Sequence, residues 1–272
     1  MAFIRRPLRI GFVGWGAIAH RVAELMAQVP DLEASVAVVA VRSAHLSYPD
    51  IPPGAALIDR PAALAEFDLD MVIEAAGREA VFEWGEDALR KSGRFVVCST
   101  SAFCDIGFLD HLLDVARKVH GQVVIPPGAL AGVETLRAVS IQPLDEVVHR
   151  IVKPPGAWKD TKAEEFVELD KLKECTVIFS GSAREAADLF PQNANVAVIT
   201  ALAGIGLERT RLVLAADPAI RRNHHIIEAR GAFGQLKTHI ENEPLARNRK
   251  SSETTALNVL RLIRNGCEAF VL

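Results

Sequence analysis

Apolar positions follow two regimes along the first half of the chain. Short, nearly unbroken apolar runs alternate with stretches where apolar residues recur every three or four positions. The runs are Leu8-Ile10-Phe12-Val13, Ala34–Val41, Met71–Ala75, Phe95–Ser99 and Gln122–Ile125. They predict strands buried on both faces. Between them, Val22, Leu25, Met26 and Val29 keep helical spacing, as do Arg60–Phe67, Glu79–Ser92 (closed by Gly93) and Ile106–Val119. These predict helices. Strands that alternate with helices predict a parallel sheet wound on both faces, with ligands at the carboxyl ends of the strands. That rule points to Ala75–Arg78, Ser99–Phe103 and Pro126–Ala131.

After Gly132 the pattern changes. Ala138–Gln142, Val147–Val152, Cys175–Ser180, Thr210–Ala215, Ile226–Arg230 and Gln235–Glu241 predict strands, and Gly231–Gly234 predicts a hairpin turn. Ser182–Phe190 predicts a helix, with Ser182 and Glu185 spaced as a capping box. The expectation is an antiparallel sheet with helices packed on it. A final helix, Glu253–Phe270, carries Ala256, Val259, Leu260 and Ile263 on one face and is expected to return to the first domain. The predicted fold class is α/β: a doubly wound parallel sheet over 1–132, an α+β substrate and dimerisation domain over 133–252, and the returning helix over 253–272.

The first strand-to-helix junction has its own chemistry. Gly14-Trp15-Gly16-Ala17-Ile18-Ala19 is G-x-G-x-x-A, placed after a strand and before a helix, as the Rossmann dinucleotide fingerprint requires. Gly14 permits the tight turn and Gly16 lets a pyrophosphate approach the backbone. Ala19 lets the helix lie close on the strand. Free N–H groups at the helix start, from Ala17 onward, favour phosphate. Trp15 either covers the cofactor or lies on the surface. The second strand ends in Arg42-Ser43, with no acid to hold a ribose 2′-hydroxyl. A cation and a hydroxyl there can accept a 2′-phosphate, which points to NADP or to both cofactors. The alternative is a solvated arginine.

Composition narrows the function classes. The 272 residues are half hydrophobic and carry a net charge of −3, so neither a nucleic-acid surface nor another polyanion partner is expected. No window reaches the ~18 apolar residues of a membrane span. The N-terminal MAFIRRPLRI has basic residues but no apolar core of a signal peptide. Cys98, Cys104, Cys175 and Cys267 are scattered, which suggests neither a disulfide framework nor a zinc site, and fits a cytoplasmic protein.

In the second half the candidates are polar residues in apolar company. His224 and His225 enter a strand, where neighbours point to opposite faces, so only one can serve a given site. Either a hydrogen-bonded core histidine or a titrating catalytic one fits that position. Asn193 and Asn195 can bind a carboxamide or carboxylate, or cap the helix that follows. Lys153 and Lys250 are candidate carboxylate binders, with a solvated loop lysine as the alternative.

Taken together, IGFVGWGAIA, VIEAAGREAV, IPPGALAG, KPPGAW, SGSAREAA, FPQNANVAVITALAGIG, ADP, N-x-H-x-I-E, G-A-F-G and K-S-S-x-x-x-A-L-x-V-L resemble the L-aspartate dehydrogenases over nearly the whole chain. The resemblance implies NAD(P)-dependent oxidative deamination of L-aspartate to iminosuccinate and oxaloacetate, a possible feed to NAD synthesis, and a homodimer. It sets the family's catalytic histidine on His225. Its cofactor-contacting alanine falls on Ala129 and its cofactor-contacting asparagine on Asn195. Two places depart from the family: Ser99–Phe103 has no glycine, and Gly77 stands where a serine or similar residue is usual. Ala76 lies beside the second. The chemistry needs a group that takes a proton from the substrate ammonium and later serves the hydrolysis of the imine. A histidine with a pKa near 7 meets both demands. A related oxidoreductase on another amino or hydroxy acid, or a non-catalytic NAD(P) sensor, are the competing readings.

Overall fold

The computed structural model describes residues 6–271 except 47 and 49, so half of the MAFIRRPLRI stretch lies outside it. The chain divides into two compact units. One runs to Pro126 and resumes at Thr255; the other is Pro127–Thr254.

The first unit is a six-stranded parallel sheet. Its strands are β1 (Leu8–Val13), β2 (Ala34–Ala40), β3 (Ala56–Ile58), β4 (Met71–Glu74), β5 (Arg94–Val97) and β6 (Gln122–Val124). Their order is β3-β2-β1-β4-β5-β6, with every pair parallel, so the chain order reverses beside β1. The crossover helices are α1 (Ala17–Met26), α2 (Arg78–Ser92) and α3 (Ile106–Lys118). Gly93 ends α2 in the left-handed conformation, and Asp105 caps α3 by accepting from the Phe108 N–H. Pro61–Glu66 is a 3-10 turn rather than a full helix.

Ile10, Phe12, Ile73 and Val96 form the core of this unit with Ala19 and Val22 from α1. Ala256, Val259, Leu260 and Ile263 of the last helix, α7 (Glu253–Cys267), are part of the same core. Each buried Val, Leu or Ile contributes roughly 1.5–3 kcal/mol, which makes that apolar stripe sufficient to hold the returning helix. The sequence pattern missed β3, which at three residues is too short to show a period.

The second unit corrects two expectations. Ala138–Gln142 is not a strand: Val133–Val139 is helix α4, and the chain then turns. Val133 and Leu136 are buried at helical spacing, while Ile141 is 89% exposed, so the apparent alternation has no buried face. The sheet is also mixed, not antiparallel. It contains β7 (Leu144–Lys153), β8 (Thr176–Ser182), β9 (Arg211–Ala216), β10 (Asn223–Gly231) and β11 (Gly234–Asn242), in the order β11-β10-β7-β9-β8. β7 and β9 run parallel, whereas the other three pairings are antiparallel. The 57 residues between β7 and β9 hold two helices, which provide the crossover a parallel pair needs.

Those helices are α5 (Ala183–Leu189) and α6 (Ala194–Ala203). Ser182 and Glu185 close the capping box on α5. α6 is apolar on nearly all sides and mostly buried. A short two-stranded sheet, β12 (Pro244–Leu245) with β13 (Asn248–Ser252), precedes α7.

Candidate active site and cofactor cleft

At the carboxyl end of β1 the glycines do what the fingerprint requires. Gly14 has φ +90, and a side chain there would put its Cβ 2.5 Å from Ala76 Cβ. The turns after β1 and β4 therefore touch only because residue 14 has no side chain. Gly16 is the N-cap of α1, without a side-chain cap, and the first turn carries no acid. A Cβ on Gly16 would meet nothing nearer than the Ala75 carbonyl oxygen at 3.8 Å. Ala17, Ile18 and the buried Ala19 thus open a helix whose N–H groups are available to an anion. The donor set fits a pyrophosphate.

A cavity of about 670 Å³ lies over this turn, lined by Gly14, Gly16, Ala76, Arg42 and Asp59 among others. Trp15 lines it too, which answers part of the question about its side chain. Its ring packs on Phe12 and His20, with centroids 5.8 and 4.8 Å away, and its buried Nε1 has no hydrogen-bond partner among the described residues.

Arg42 follows β2, exposed, with Ser43 half-buried beside it. No acid follows in the chain there, yet Asp59 lines the same cavity. Ala40 pairs with Ile58, so the residue after β3 emerges beside the end of β2. Asp59 also accepts the Ala44 N–H at 3.2 Å. Sequence reading missed this acid because it missed β3.

Beneath the turns sits Glu74, fully buried. Its carboxylate accepts N–H groups from Ala76 and Gly77, both at 2.8 Å, from Ser99 at 2.9 Å, and the Ser99 hydroxyl at 2.8 Å. It ties the end of β4 to the end of β5. Burial raises its pKa above the usual carboxylate value, and these four donors oppose that rise. In Ser99–Phe103, where the family glycine is absent, Thr100–Cys104 forms a 3-10 turn with Thr100, Ala102 and Phe103 buried.

In the second unit the segment Pro127–Gly132 is pinned to β11. Asn242 Nδ2 donates to the Ala129 carbonyl oxygen at 2.9 Å, and Thr238 Oγ1 to the Ala131 carbonyl oxygen at 3.0 Å. Gly132, at φ +75, has room for no Cβ against Thr238. Asn242 is buried and is held in turn by Thr254 Oγ1 at 2.5 Å. Sequence reading did not single it out.

Sheet register builds the polar cluster around His225. His225 pairs with Ile151 of β7, which places His149 and Lys153, two residues to either side, on the same face. His225 Nδ1 lies 3.1 Å from His149 Nε2. His149 Nδ1 lies 2.9 Å from Thr200 Oγ1 on α6. Lys153 Nζ donates to Asn193 Oδ1 at 2.5 Å and stands 5.0 Å from the centre of the Trp158 ring. Asn193, the N-cap residue of α6, makes no side-chain capping bond.

Burial sets the protonation states here. It lowers His149 to about 3 and Lys153 to about 8. Burial, then the charges of His149, Lys153 and His224, hold His225 well below the ordinary histidine value. The expectation of a histidine poised near 7 is therefore not met in the ligand-free protein, because burial disfavours the charged ring and its basic neighbours add to that cost.

Of the residues singled out from sequence, the structure joins His225, Lys153 and Asn193 in one cluster and adds His149 and Thr200. Asn195 is exposed as the second residue of α6, and Lys250 is exposed on β13. His224 points to the opposite face, where its ring lies 5.1 Å from His239 and its Nε2 3.8 Å from Glu241. Ligand-type atoms of these three lie within 4.8 Å of one another.

Comparison with known proteins gives concordant matches. Residues 134–266 match the family described as "Aspartate dehydrogenase, C-terminal". Residues 14–126 match "Homoserine dehydrogenase, NAD binding domain". The chain is 51% identical over 256 residues to the L-aspartate dehydrogenase of Brucella anthropi, covering 94% of this chain and 95% of the relative. It is 40% identical over 265 residues to that of Ralstonia pickettii, covering 96% and 98%. The crystal structure of aspartate dehydrogenase from Thermotoga maritima superposes with a TM-score of 0.76 at 28% identity, covering 97% of this chain and 99% of that one. Strand order, glycine turn and these matches make the first unit an NAD(P)-binding domain.

Proposed function

The chain belongs to the L-aspartate dehydrogenase family, and from that premise we propose that it oxidatively deaminates L-aspartate to iminosuccinate, which water converts to oxaloacetate and ammonia. One observation carries this reading: His225 is buried beside the cationic Lys153, and no described residue hydrogen-bonds its Nε2. Bound NAD(P)+ supplies the hydride acceptor. The remaining tasks fall to side chains.

Aspartate arrives with two carboxylates and an ammonium group. The ammonium must lose a proton before its Cα can give up hydride. His225 is neutral in the ligand-free protein, which is the form a base requires. Two substrate carboxylates bring negative charge against it and raise its pKa from that low value, so it holds the proton it takes. Lys153 binds one carboxylate through its ammonium group, with Asn193 fixing its position. The exposed Lys250 is not assigned to that contact.

We assign Gly14, Gly16, Ala17, Ile18, Ala19 and Ala76 to the cofactor's pyrophosphate end. Ala129 and Asn195 are assigned to the same cofactor by family resemblance, and Arg42 and Ser43 to a 2′-phosphate. The same reading makes residues 1–132 with the last helix the cofactor domain and 133–252 the substrate domain. It also takes the working species as a cytoplasmic homodimer whose product feeds NAD synthesis. Among the described residues, no helix is long and apolar enough to cross a membrane.

The test is formation of reduced nicotinamide with L-aspartate and each of NAD+ and NADP+, run beside a panel of other amino and hydroxy acids. His225→Ala should lower kcat by ~10²-fold or more. Undiminished turnover in a folded H225A protein, or no preference for aspartate across the panel, overturns the reading.

A further inference from the structure

His225 is the outer member of a buried row of three side chains. Its Nδ1 meets His149 Nε2 at 3.1 Å, and His149 Nδ1 meets Thr200 Oγ1 at 2.9 Å. Thr200 Oγ1 also donates to the carbonyl oxygen of Val196, one turn back in α6, at 3.0 Å.

Protons can be counted along this row. A threonine hydroxyl has one proton. Given to Val196, it leaves Thr200 able only to accept from His149, so His149 carries its proton on Nδ1. With its pKa lowered to about 3, His149 is neutral at any working pH, and a neutral imidazole has one N–H. Its Nε2 is therefore bare and accepts. His225 must then donate from Nδ1, which leaves its own Nε2 as a lone pair.

We propose that His149 and Thr200 are positioning residues that lock His225 in the Nδ1–H tautomer, so that its bare Nε2 takes the proton from the substrate ammonium. The proposal rests on the acid–base role given to His225 above. The step balances: the proton leaves the substrate nitrogen, whose electron pair stays behind, and forms an N–H bond at Nε2. The imidazolium that results keeps its Nδ1–H on His149. A direction along the row matters because its reversal places a proton on His225 Nε2 and abolishes the base. The Val196 carbonyl oxygen can only accept, so the Thr200 hydroxyl that donates to it presents a lone pair to His149.

Tautomers are read directly from long-range 1H–15N correlations of histidine-labelled protein, with His225 and His149 assigned by difference. The wild type should show Nδ1–H at both rings. Thr200→Val removes the acceptor, so the His149 proton moves to Nε2 and that of His225 follows to its own Nε2. kcat should then fall by ~10-fold or more, with KM for NAD(P) unchanged. Thr200→Ser keeps the hydroxyl and should restore both readouts. His149→Gln retains an acceptor for His225 and should hold the wild-type tautomer, whereas His149→Phe should not. Nε2–H at His225 in the wild type overturns the proposal, as does a tautomer unmoved in T200V and H149F. The spectrum is recorded without turnover, so this result is separate from that of the H225A assay.

Discussion

Lys153 offers a sharp quantitative test of the substrate site, because its charge is set by where the fold puts it. Burial lowers its pKa from 10.5 to about 8, with Asn193 Oδ1 fixed at 2.5 Å and Trp158 beneath. An ammonium group with a pKa of about 8 is roughly nine-tenths charged at about pH 7 and one-tenth charged at about pH 9. If that charge holds a substrate carboxylate, binding to the free enzyme should weaken roughly tenfold over the same interval. Aspartate itself is a poor probe, since its own amine titrates nearby. Succinate has both carboxylates and no amine, so its inhibition constant follows charges on the protein, and comparison with Lys153→Arg isolates the part due to Lys153. The constant should rise about tenfold between about pH 7 and pH 9, and Lys153→Arg, which stays charged, should flatten the rise. The stability sign follows from linkage. The folded pKa lies below the unfolded one, so the unfolded chain holds more protons between about pH 8 and 10.5. The cost of burying the charge is therefore full below about 8 and relieved as pH rises through that window. Wild-type stability should gain on that of Lys153→Met over that interval in denaturant titrations. A succinate constant that stays level across the range in the wild type refutes the assignment of Lys153 as the carboxylate cation.

Three further outcomes follow from the cofactor cleft. Gly14→Ala forces a Cβ to 2.5 Å from Ala76 Cβ at φ +90, so cofactor affinity should drop by at least ~10-fold in fluorescence titration. The double variant with Ala76→Gly removes the collision and leaves the φ strain, so it should recover only part of that loss; full recovery would rule out backbone strain. Glu74→Gln sets an amide N–H₂ against N–H donors in place of one carboxylate oxygen. It should cost ~2–4 kcal/mol in chemical denaturation and raise KM for NAD(P) while leaving kcat nearly intact. Arg42→Ala should raise KM for NADP+ by ~10-fold and spare NAD+, whereas Asp59→Asn should do the opposite, as steady-state kinetics with both cofactors will show.

The first unit was legible because its cues are local. Buried parallel strands are continuous apolar runs, helices repeat every three to four residues, and a glycine turn between them has few uses other than phosphate binding. The misreadings, found in both units, fell on short or ambiguous elements. β3 spans three residues, below any period, and its loss hid Asp59. Ala138–Gln142 mimicked alternation, but only burial reveals that Ile141 faces water while Leu136 anchors a helix. The second sheet resisted for a different reason. β7 and β9 are parallel neighbours 57 residues apart, and no local pattern reports which distant strand a given strand pairs with.

The sequence by itself determined the class of cofactor, the family resemblance and the candidacy of His225, because these reside in residue types at short, fixed spacing. It could not choose between a core histidine and a catalytic one, or between Lys153 and Lys250. Tertiary structure supplies the placement on which the proposed roles rest, through the register that sets Ile151 opposite His225 and so brings His149 and Lys153 to its two sides. It also set the protonation states, since desolvation is a property of the packed interior and not of the chain. His149 lies in no motif, and the motif blocks that hold Thr200 and Glu74 do not say what these two side chains touch. Their roles arise from hydrogen bonds between residues 25 to 76 positions apart, distances that only folding closes.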